Sequence, residues 1–146
     1  MDRLRSYFSF ERRANRARYW LTVLALYAAL FVTGLIAFSV PVLGVVVGLL
    51  GFVAALWAGT SVAIRRLHDR GKSGWWLLPM YLPVLVFSGL SELMQDSSGE
   101  PNIALAALSL PFSIWILVEL GCLKGTVGPN RFGPDPLAPS EIEVFS

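Results

Sequence analysis

Charged residues are scarce in this sequence, and one long stretch has none at all. Charged side chains make up 15% of the 146 residues, whereas soluble domains contain about a quarter. No Asp, Glu, Lys or Arg occurs between Tyr19 and Ile64. A helix needs about 20 apolar residues to cross a bilayer core of ~30 Å. This stretch is therefore long enough for two membrane spans joined by a tight turn.

Residues suited to disulfides and metal sites are also scarce. Cys122 is the single cysteine and His68 the single histidine. An intramolecular disulfide is therefore impossible, and His68 has no second His or Cys nearby in sequence to complete a zinc site. The sequence offers no recognisable nucleophile–base pair, and its net charge of +2 gives nucleic-acid binding no support. We predict a protein that is not an enzyme and that has no metal and no cofactor.

The basic residues that are present lie on one side of four apolar stretches. Residues 1–18 contain six of the twelve Lys and Arg residues, residues 65–73 contain four, and the C-terminal segment contains the other two. The intervening connections, Ser39–Val42 and Ser91–Asn102, contain none. Cytoplasmic loops of membrane proteins are enriched in Lys and Arg. The pattern predicts a multi-pass membrane protein with both termini in the cytoplasm.

The expected fold is all-α, an integral membrane four-helix bundle, because backbone groups in lipid must be hydrogen-bonded within their own segment. The spans are predicted at about residues 19–38, 42–64, 74–90 and 103–123, between a basic cytoplasmic arm of residues 1–18 and a Gly/Pro-rich cytoplasmic tail of residues 124–146. Pro79 and Pro83 are expected to bend or loosen the third span, since proline removes a helix hydrogen bond.

Two glycines in the second span predict a close helix contact. Gly44 and Gly48 are four residues apart, a spacing that lets two helix backbones approach each other. The partner is either the first span, which is tethered beside them, or a second copy of the chain. We favour packing within the chain.

Three segments at the basic end contain residue patterns that a topology signal, which needs only positive charge, does not require: residues 13–20, 65–76 and 124–136. Arginine forks and the N–H groups of a Gly-flanked turn suit a phosphate group. The candidate site for a ligand or a lipid therefore comprises Arg13, Arg16, Arg65, Arg66, Asp69, Gly71, Lys72, Trp75, Trp76, Asn130, Arg131 and Asp135. Three interpretations are open: ion pairing among the segments themselves, which we favour, binding of lipid headgroups, and binding of a specific small ligand. Trp75 and Trp76 also suit anchoring at the membrane interface.

Glu119 is the single charged residue predicted inside a span. Carboxylates within a membrane are costly, and they are usually paired or functional. Glu119 lies about one turn from the cytoplasmic end of the fourth span, so we expect it to pair with Arg65 or Arg66. The alternative is a proton relay, for which the sequence supplies no second buried carboxylate.

Two of the three segments resemble the motifs of the DUF805 family of small bacterial inner-membrane proteins, a family without an established activity. They are Arg65-Arg-Leu-His-Asp69 with Gly71-Lys-Ser-Gly-Trp-Trp76, and Gly128-Pro-Asn-Arg-Phe-Gly-Pro-Asp-Pro136. The resemblance covers about residues 8–136. The N-terminal part of the chain departs from the family pattern, because Arg12 stands where the family has Gly and Arg18 where it has Glu. The resemblance implies an uncharacterised protein of the bacterial inner membrane, and it supplies no substrate.

The leading functional hypothesis is a membrane scaffold or accessory protein. Its basic cytoplasmic face would bind anionic membrane lipids or a partner membrane protein, and a homo-oligomer is also open. The alternative is a small transporter or channel that uses Glu119 and the proline-containing third span. A transporter is expected to have more polar residues in its spans than this chain provides.

Overall fold

The computed structural model describes residues 12–95 and 99–138, except for the side chains of residues 41–43. The helices are α1 (Arg16–Ser39), α2 (Pro41–Asp69), α3 (Leu77–Leu93), α4 (Ile103–Ala107) and α5 (Leu110–Ile116). A 3₁₀ turn, Gly74–Trp76, leads into α3, and a π-helical turn, Leu117–Cys122, follows α5. Most of the predicted basic arm lies outside the described residues.

Four helical stretches are long and apolar enough to cross a membrane: Arg16–Ser39, Gly44–Asp69, Gly74–Leu93 and Ile103–Cys122. We call the last of these the fourth span. Most large apolar side chains along the stretches are exposed, as expected for surfaces that face lipid. The all-α fold with four membrane-spanning helices is therefore confirmed.

The second helix extends further than its predicted end at residue 64. It continues to Asp69, so residues 65–69, which follow the predicted span, are helical. The physical reason is that charged side chains do not stop a helix. The stop comes at Gly71, whose φ of +70° reverses the chain.

The first two helices form a tight hairpin in which two glycines contact α1. A Cβ atom added to Gly44 would collide with the backbone of Ala37, and one added to Gly51 would lie 3.0 Å from the Thr33 side chain. Gly48, by contrast, has nothing within contact distance of an added Cβ. The close contact predicted within the chain is therefore found at Gly44 but not at Gly48.

Proline interrupts the fourth span rather than the third. Helix α3 continues through Pro83, whereas α4 ends at Ala107, four residues before Pro111. The ring of a proline clashes with the carbonyl four residues earlier, and the proline nitrogen has no hydrogen to donate to that carbonyl. The hydroxyl of Ser109 donates to the Ala106 carbonyl at 2.7 Å, and the Ser109 backbone N–H donates to the same carbonyl at 3.0 Å.

The buried core is small and lies at one end of the bundle. Ala63, Leu67, Met80 and Leu120 form a buried cluster there, and Tyr19 and Trp115 are among the residues packed against it. The N-terminus of α1, the C-terminus of α2 and the end of the fourth span meet at this end, and the C-terminal tail folds over it. The motif segments therefore converge on the best-packed part of the chain.

Candidate functional site

Asp69, the last residue of α2, is the centre of a buried charge cluster. Its carboxylate accepts a hydrogen bond from Arg13 Nε at 3.0 Å and another from Arg66 Nη1. All three side chains are at most 4% exposed. Buried charges are stable only when they are paired and hydrogen-bonded. We call Arg13, Arg66 and Asp69 the buried triad.

Arg13 connects the arm to the tail through the remaining donors of its guanidinium group. Nη1 donates to the Gly128 carbonyl at 2.6 Å, and Nη2 donates to the Thr126 carbonyl. The Thr126 backbone N–H in turn donates to the Asp69 carbonyl at 2.8 Å. Gly125 allows this close approach, because an added Cβ would collide with the Asp69 carboxylate. Three segments that are distant in sequence are thereby joined around one residue, Asp69.

The turn after α2 has the hydrogen bonds of a Schellman motif. Gly71 N–H donates to the His68 carbonyl at 3.0 Å, and Lys72 N–H donates to the Leu67 carbonyl at 2.9 Å. This motif needs a residue with positive φ after the helix end, which glycine supplies without strain. A Cβ at Gly71 would meet Thr126 at only 3.9 Å. Gly71 is therefore required for its conformation, and not because side chains are excluded there.

The last carbonyls of the fourth span are capped by side chains from α1 and α2. Arg66 Nε donates to the Leu120 carbonyl at 2.9 Å and Arg66 Nη2 to that of Leu123. Trp20 Nε1 donates to the Gly121 carbonyl at 3.2 Å, and Arg16 Nη1 donates to the Cys122 carbonyl at 3.1 Å. The last carbonyls of a helix lack partners within it, and cations there also oppose the negative end of the helix dipole.

Glu119 is paired, but not with the residues expected from the sequence. Its Oε1 accepts hydrogen bonds from Arg70 Nε at 2.6 Å and from Lys72 Nζ at 2.7 Å. The expected pairing with Arg65 or Arg66 is wrong, since Arg66 is used by the buried triad and the turn at Gly71 brings Lys72 back over the bundle. Glu119 lies within the π-helical turn, a local irregularity that often occurs at functional sites.

The tail is held against α2 by a turn around Asn130. The Asn130 side chain donates to the His68 carbonyl at 2.9 Å, and Arg131 donates to the Gly71 carbonyl at 3.0 Å. The Phe132 ring stacks on the His68 ring with centroids 3.9 Å apart, and the Arg131 guanidinium lies 4.6 Å from the Phe132 ring centroid. Asn130 and Arg131 thus have structural partners.

Asp135 holds the end of the tail in a turn. Its carboxylate accepts hydrogen bonds from the backbone N–H of Gly128 at 2.9 Å and of Leu137 at 3.0 Å. These two bonds favour the ionised form and hold the pKa of Asp135 below its ordinary value. Asp135 is not part of the buried triad, whose carboxylate belongs to Asp69.

The remaining candidates lie around the cluster. Arg65 is buried and its Nε lies 3.4 Å from the Ser61 carbonyl. Lys72 Nζ lies 4.8 Å from the centroid of a Trp76 ring, and Trp76 also packs edge-to-face on Trp115. Trp75 is 76% exposed, as an interface anchor is expected to be. Among the described residues, no group of three or more His, Cys, Asp or Glu side chains could hold a metal ion.

A cleft of about 1020 Å³ lies beside the buried triad. It is lined by residues of α1, by Ala58 of α2 and by the tail at Pro134–Pro136. Arg12 and Arg18 both contribute to its lining, and both are exposed. Neither was among the candidate residues taken from the sequence. The one feature of the sequence that could have identified them as candidate residues is their departure from the family pattern.

Arg12 also has an unusual backbone conformation. It is the one residue other than glycine with a positive φ, 78°, in the described part of the chain. A left-handed conformation costs an L-amino acid roughly 1–2 kcal/mol. The expected family residue at this position is Gly, which would adopt the conformation without that cost.

Four membrane-spanning helices with a paired basic cluster at one end define a small multi-pass membrane protein rather than a soluble domain. The sequence comparisons identify which kind. Residues 7–134 match the family described as "Protein of unknown function (DUF805)", and the chain belongs to this family.

Named relatives agree with that assignment. The chain is 32% identical over 142 residues to the inner membrane protein YhaH of Escherichia coli K12, with 91% of each chain covered. It is 29% identical over 138 residues to the inner membrane protein YhaI of the same strain, covering 91% of this chain and 90% of YhaI. The uncharacterized protein YiiR is 29% identical over 134 residues, with 88% and 86% covered. No solved structure matches the chain. Together with the four spans, these relatives identify an inner-membrane protein.

Proposed function

We propose that the protein is a non-enzymatic scaffold or accessory protein of the inner membrane, and that its basic end binds anionic lipid or a partner membrane protein. The observation that carries the proposal is the division of the basic residues into two sets. Arg13 and Arg66 are buried, and their N–H groups donate within the buried triad and to backbone carbonyls. Arg12, Arg18 and Lys124 are exposed around them.

This division favours a binding surface whose residues are held in position by the buried ones. The inner set holds the arm, the helix ends and the tail in one arrangement, so the outer set is presented at defined positions. Basic residues near an anionic membrane surface each contribute about 1 kcal/mol of attraction. A preorganised set loses less side-chain freedom on binding than a flexible one does.

Lipid retention tests the proposal directly. The full chain is purified in mild detergent, and native mass spectrometry measures the lipids that remain bound when phosphatidylglycerol and phosphatidylcholine are offered in equal amounts. We expect preferential retention of phosphatidylglycerol. Proteins that co-purify identify a partner, and a chain that retains neither an anionic lipid nor a partner would refute the proposal.

A transporter or channel is the second candidate, and the π-helical turn at Glu119 is the observation that favours it. Two cations contact one oxygen of Glu119, so this carboxylate is already paired. A substrate path through Glu119 would have to break both contacts. Flux of protons or small ions into liposomes, compared for the wild type and Glu119→Gln, tests this alternative.

A further inference from the structure

The cleft beside the buried triad has a charged rim and an apolar floor. Arg12 and Arg18 line it near the start of α1, and we call this part the rim; Leu21, Ala25 and Leu26 of α1 line it further along together with Ala58 of α2, and we call this part the floor. Arg18 belongs to the first turn of α1. The floor therefore continues from the helix end into the apolar part of the span.

The two rim arginines are free within the described part of the chain. No described residue makes a hydrogen bond or an ion pair with either guanidinium group, although the backbone N–H of Arg18 donates to the Asn15 side chain at 2.9 Å. This contrasts with Arg13, which lines the same cleft but whose charge is balanced by Asp69. An arginine fork that none of the described residues occupies suits a phosphate group.

Asp135 is the carboxylate that also lines the cleft. Its two oxygens accept the backbone N–H groups of Gly128 and Leu137. Because Arg13 is balanced by Asp69, the lining leaves the two guanidinium groups of Arg12 and Arg18 against one carboxylate, whose oxygens are already hydrogen-bonded. The cleft has a net positive charge, which complements an anion.

The floor shows what kind of anion fits. Ala25 lies seven residues beyond Arg18, a distance of about 10 Å along a helix. Leu21 is 68% exposed, and the small side chains of Ala25 and Ala58 leave space between α1 and α2. A free phosphate would use only the rim. A phospholipid would place its phosphate at the rim and an acyl chain along the floor.

We infer that this cleft is a binding site for one anionic phospholipid, with the phosphate held by Arg12 and Arg18 and an acyl chain lying over Leu21 and Ala25. The inference rests on the proposed function and gives the lipid a position. A volume of about 1020 Å³ accommodates a headgroup and the upper part of a chain, since sites for small molecules measure roughly 300–1,000 Å³. The site lies beside the buried triad, whose own arginines are occupied.

The test combines two variants and a matched control in the native mass spectrometry assay at fixed ionic strength. Arg12→Gln with Arg18→Gln should lower phosphatidylglycerol retention about thirtyfold, or about fivefold per arginine. Ala25→Phe fills the floor without changing charge and should also lower retention. Lys124→Gln removes an exposed basic residue at the same end, outside this cleft, and should lower retention less than Arg12→Gln or Arg18→Gln alone does, because it removes surface attraction but no contact to the phosphate.

The outcomes separate this inference from the proposed function. If the wild type prefers phosphatidylglycerol but the double variant retains it equally well, the site assignment is overturned while the proposed function stands. If the wild type shows no preference for the anionic lipid, binding of anionic lipid is refuted, and this inference is refuted with it. If glycerol phosphate displaces the lipid and Ala25→Phe has no effect, the site binds a soluble anion, which overturns the assignment to a lipid.

Discussion

Replacing Asp69 with Asn tests whether the buried triad holds this end of the bundle together. The substitution keeps the shape of the side chain and leaves the Asp69 carbonyl free to accept the Thr126 N–H. It removes the negative charge between two guanidinium groups that are at most 1% exposed. The asparagine NH₂ group must also face one of two groups that can only donate.

The structure sets the size of the effect. Removing one partner of a buried ion pair costs about 3–5 kcal/mol, because the other charge is left uncompensated. Arg13 and Arg66 keep their bonds to backbone carbonyls, which places the expected loss near the lower limit, at about 3 kcal/mol. That corresponds to a change of roughly a hundredfold in the folding equilibrium.

Unfolding in mild detergent with increasing dodecyl sulfate, followed by far-ultraviolet circular dichroism, measures this loss. Glu92→Gln is the matched control, since Glu92 is an exposed carboxylate at the far end of α3, and its effect should stay within about 0.5 kcal/mol. Asp69→Asn combined with Arg13→Gln should cost less than the sum of the two single changes. A loss below about 1 kcal/mol for Asp69→Asn would refute the central role of the triad.

Reporter fusions test the orientation in the membrane. Because the basic residues lie at one end, fusions after Ser39 and near Ser98 should report an outside location, and fusions near Arg70 and after Ser146 an inside location. An inside signal near Ser98 would contradict this topology. Glu119→Gln should lower the thermal unfolding midpoint in detergent, and this loss of stability should not add fully to the loss caused by Lys72→Gln. Full additivity would mean that the contact between the two side chains contributes no stability. Arg12→Gly should stabilise the lipid-free protein by about 1 kcal/mol by relieving the positive φ, and an unchanged unfolding midpoint would argue against that strain. The lowered pKa of Asp135 means that its hydrogen bonds stabilise the tail fully above the ordinary carboxyl pKa of about 4 and progressively less as pH falls through the lowered value. The protection of the Gly128 and Leu137 amides from hydrogen exchange, taken relative to the intrinsic exchange rate at each pH, should therefore fall in acid, and Asp135→Asn should remove most of that pH dependence.

The sequence was sufficient for the fold because membrane spans depend on local properties. Uncharged length alone predicts a helix across the stretch from Tyr19 to Ile64, and the lipid environment leaves no other way to satisfy its backbone. The boundary error at the end of α2 arose because charge marks where the membrane ends and not where the helix ends. The helix end depends on Gly71, whose role follows from its backbone conformation.

The internal partners were less predictable because they depend on how the segments are arranged in space. The sequence shows Asp69 as an acidic residue among four basic ones, but its pairing with Arg13 requires the arm to cross the end of α2. The caps that Arg16 and Trp20 provide belong to carbonyls of another helix. No spacing within either segment reveals such contacts, and the same limitation led to the wrong partners for Glu119.

The segments that resemble the DUF805 motifs are explained by the architecture. Arg66 and Asp69 form the buried triad with Arg13, Gly71 ends α2, and Asn130 fixes the tail. A motif whose members are satisfied internally specifies a fold at the end of the bundle and does not by itself specify a ligand. Properties that distinguish this chain from relatives are therefore better sought among exposed residues that depart from the family pattern. Arg12 and Arg18 are two such residues, and both line the same cleft. Arg12 has a backbone conformation that Gly would adopt without strain, so the Arg12→Gly variant separates the cost of that conformation from the proposed contribution of the arginine to lipid binding.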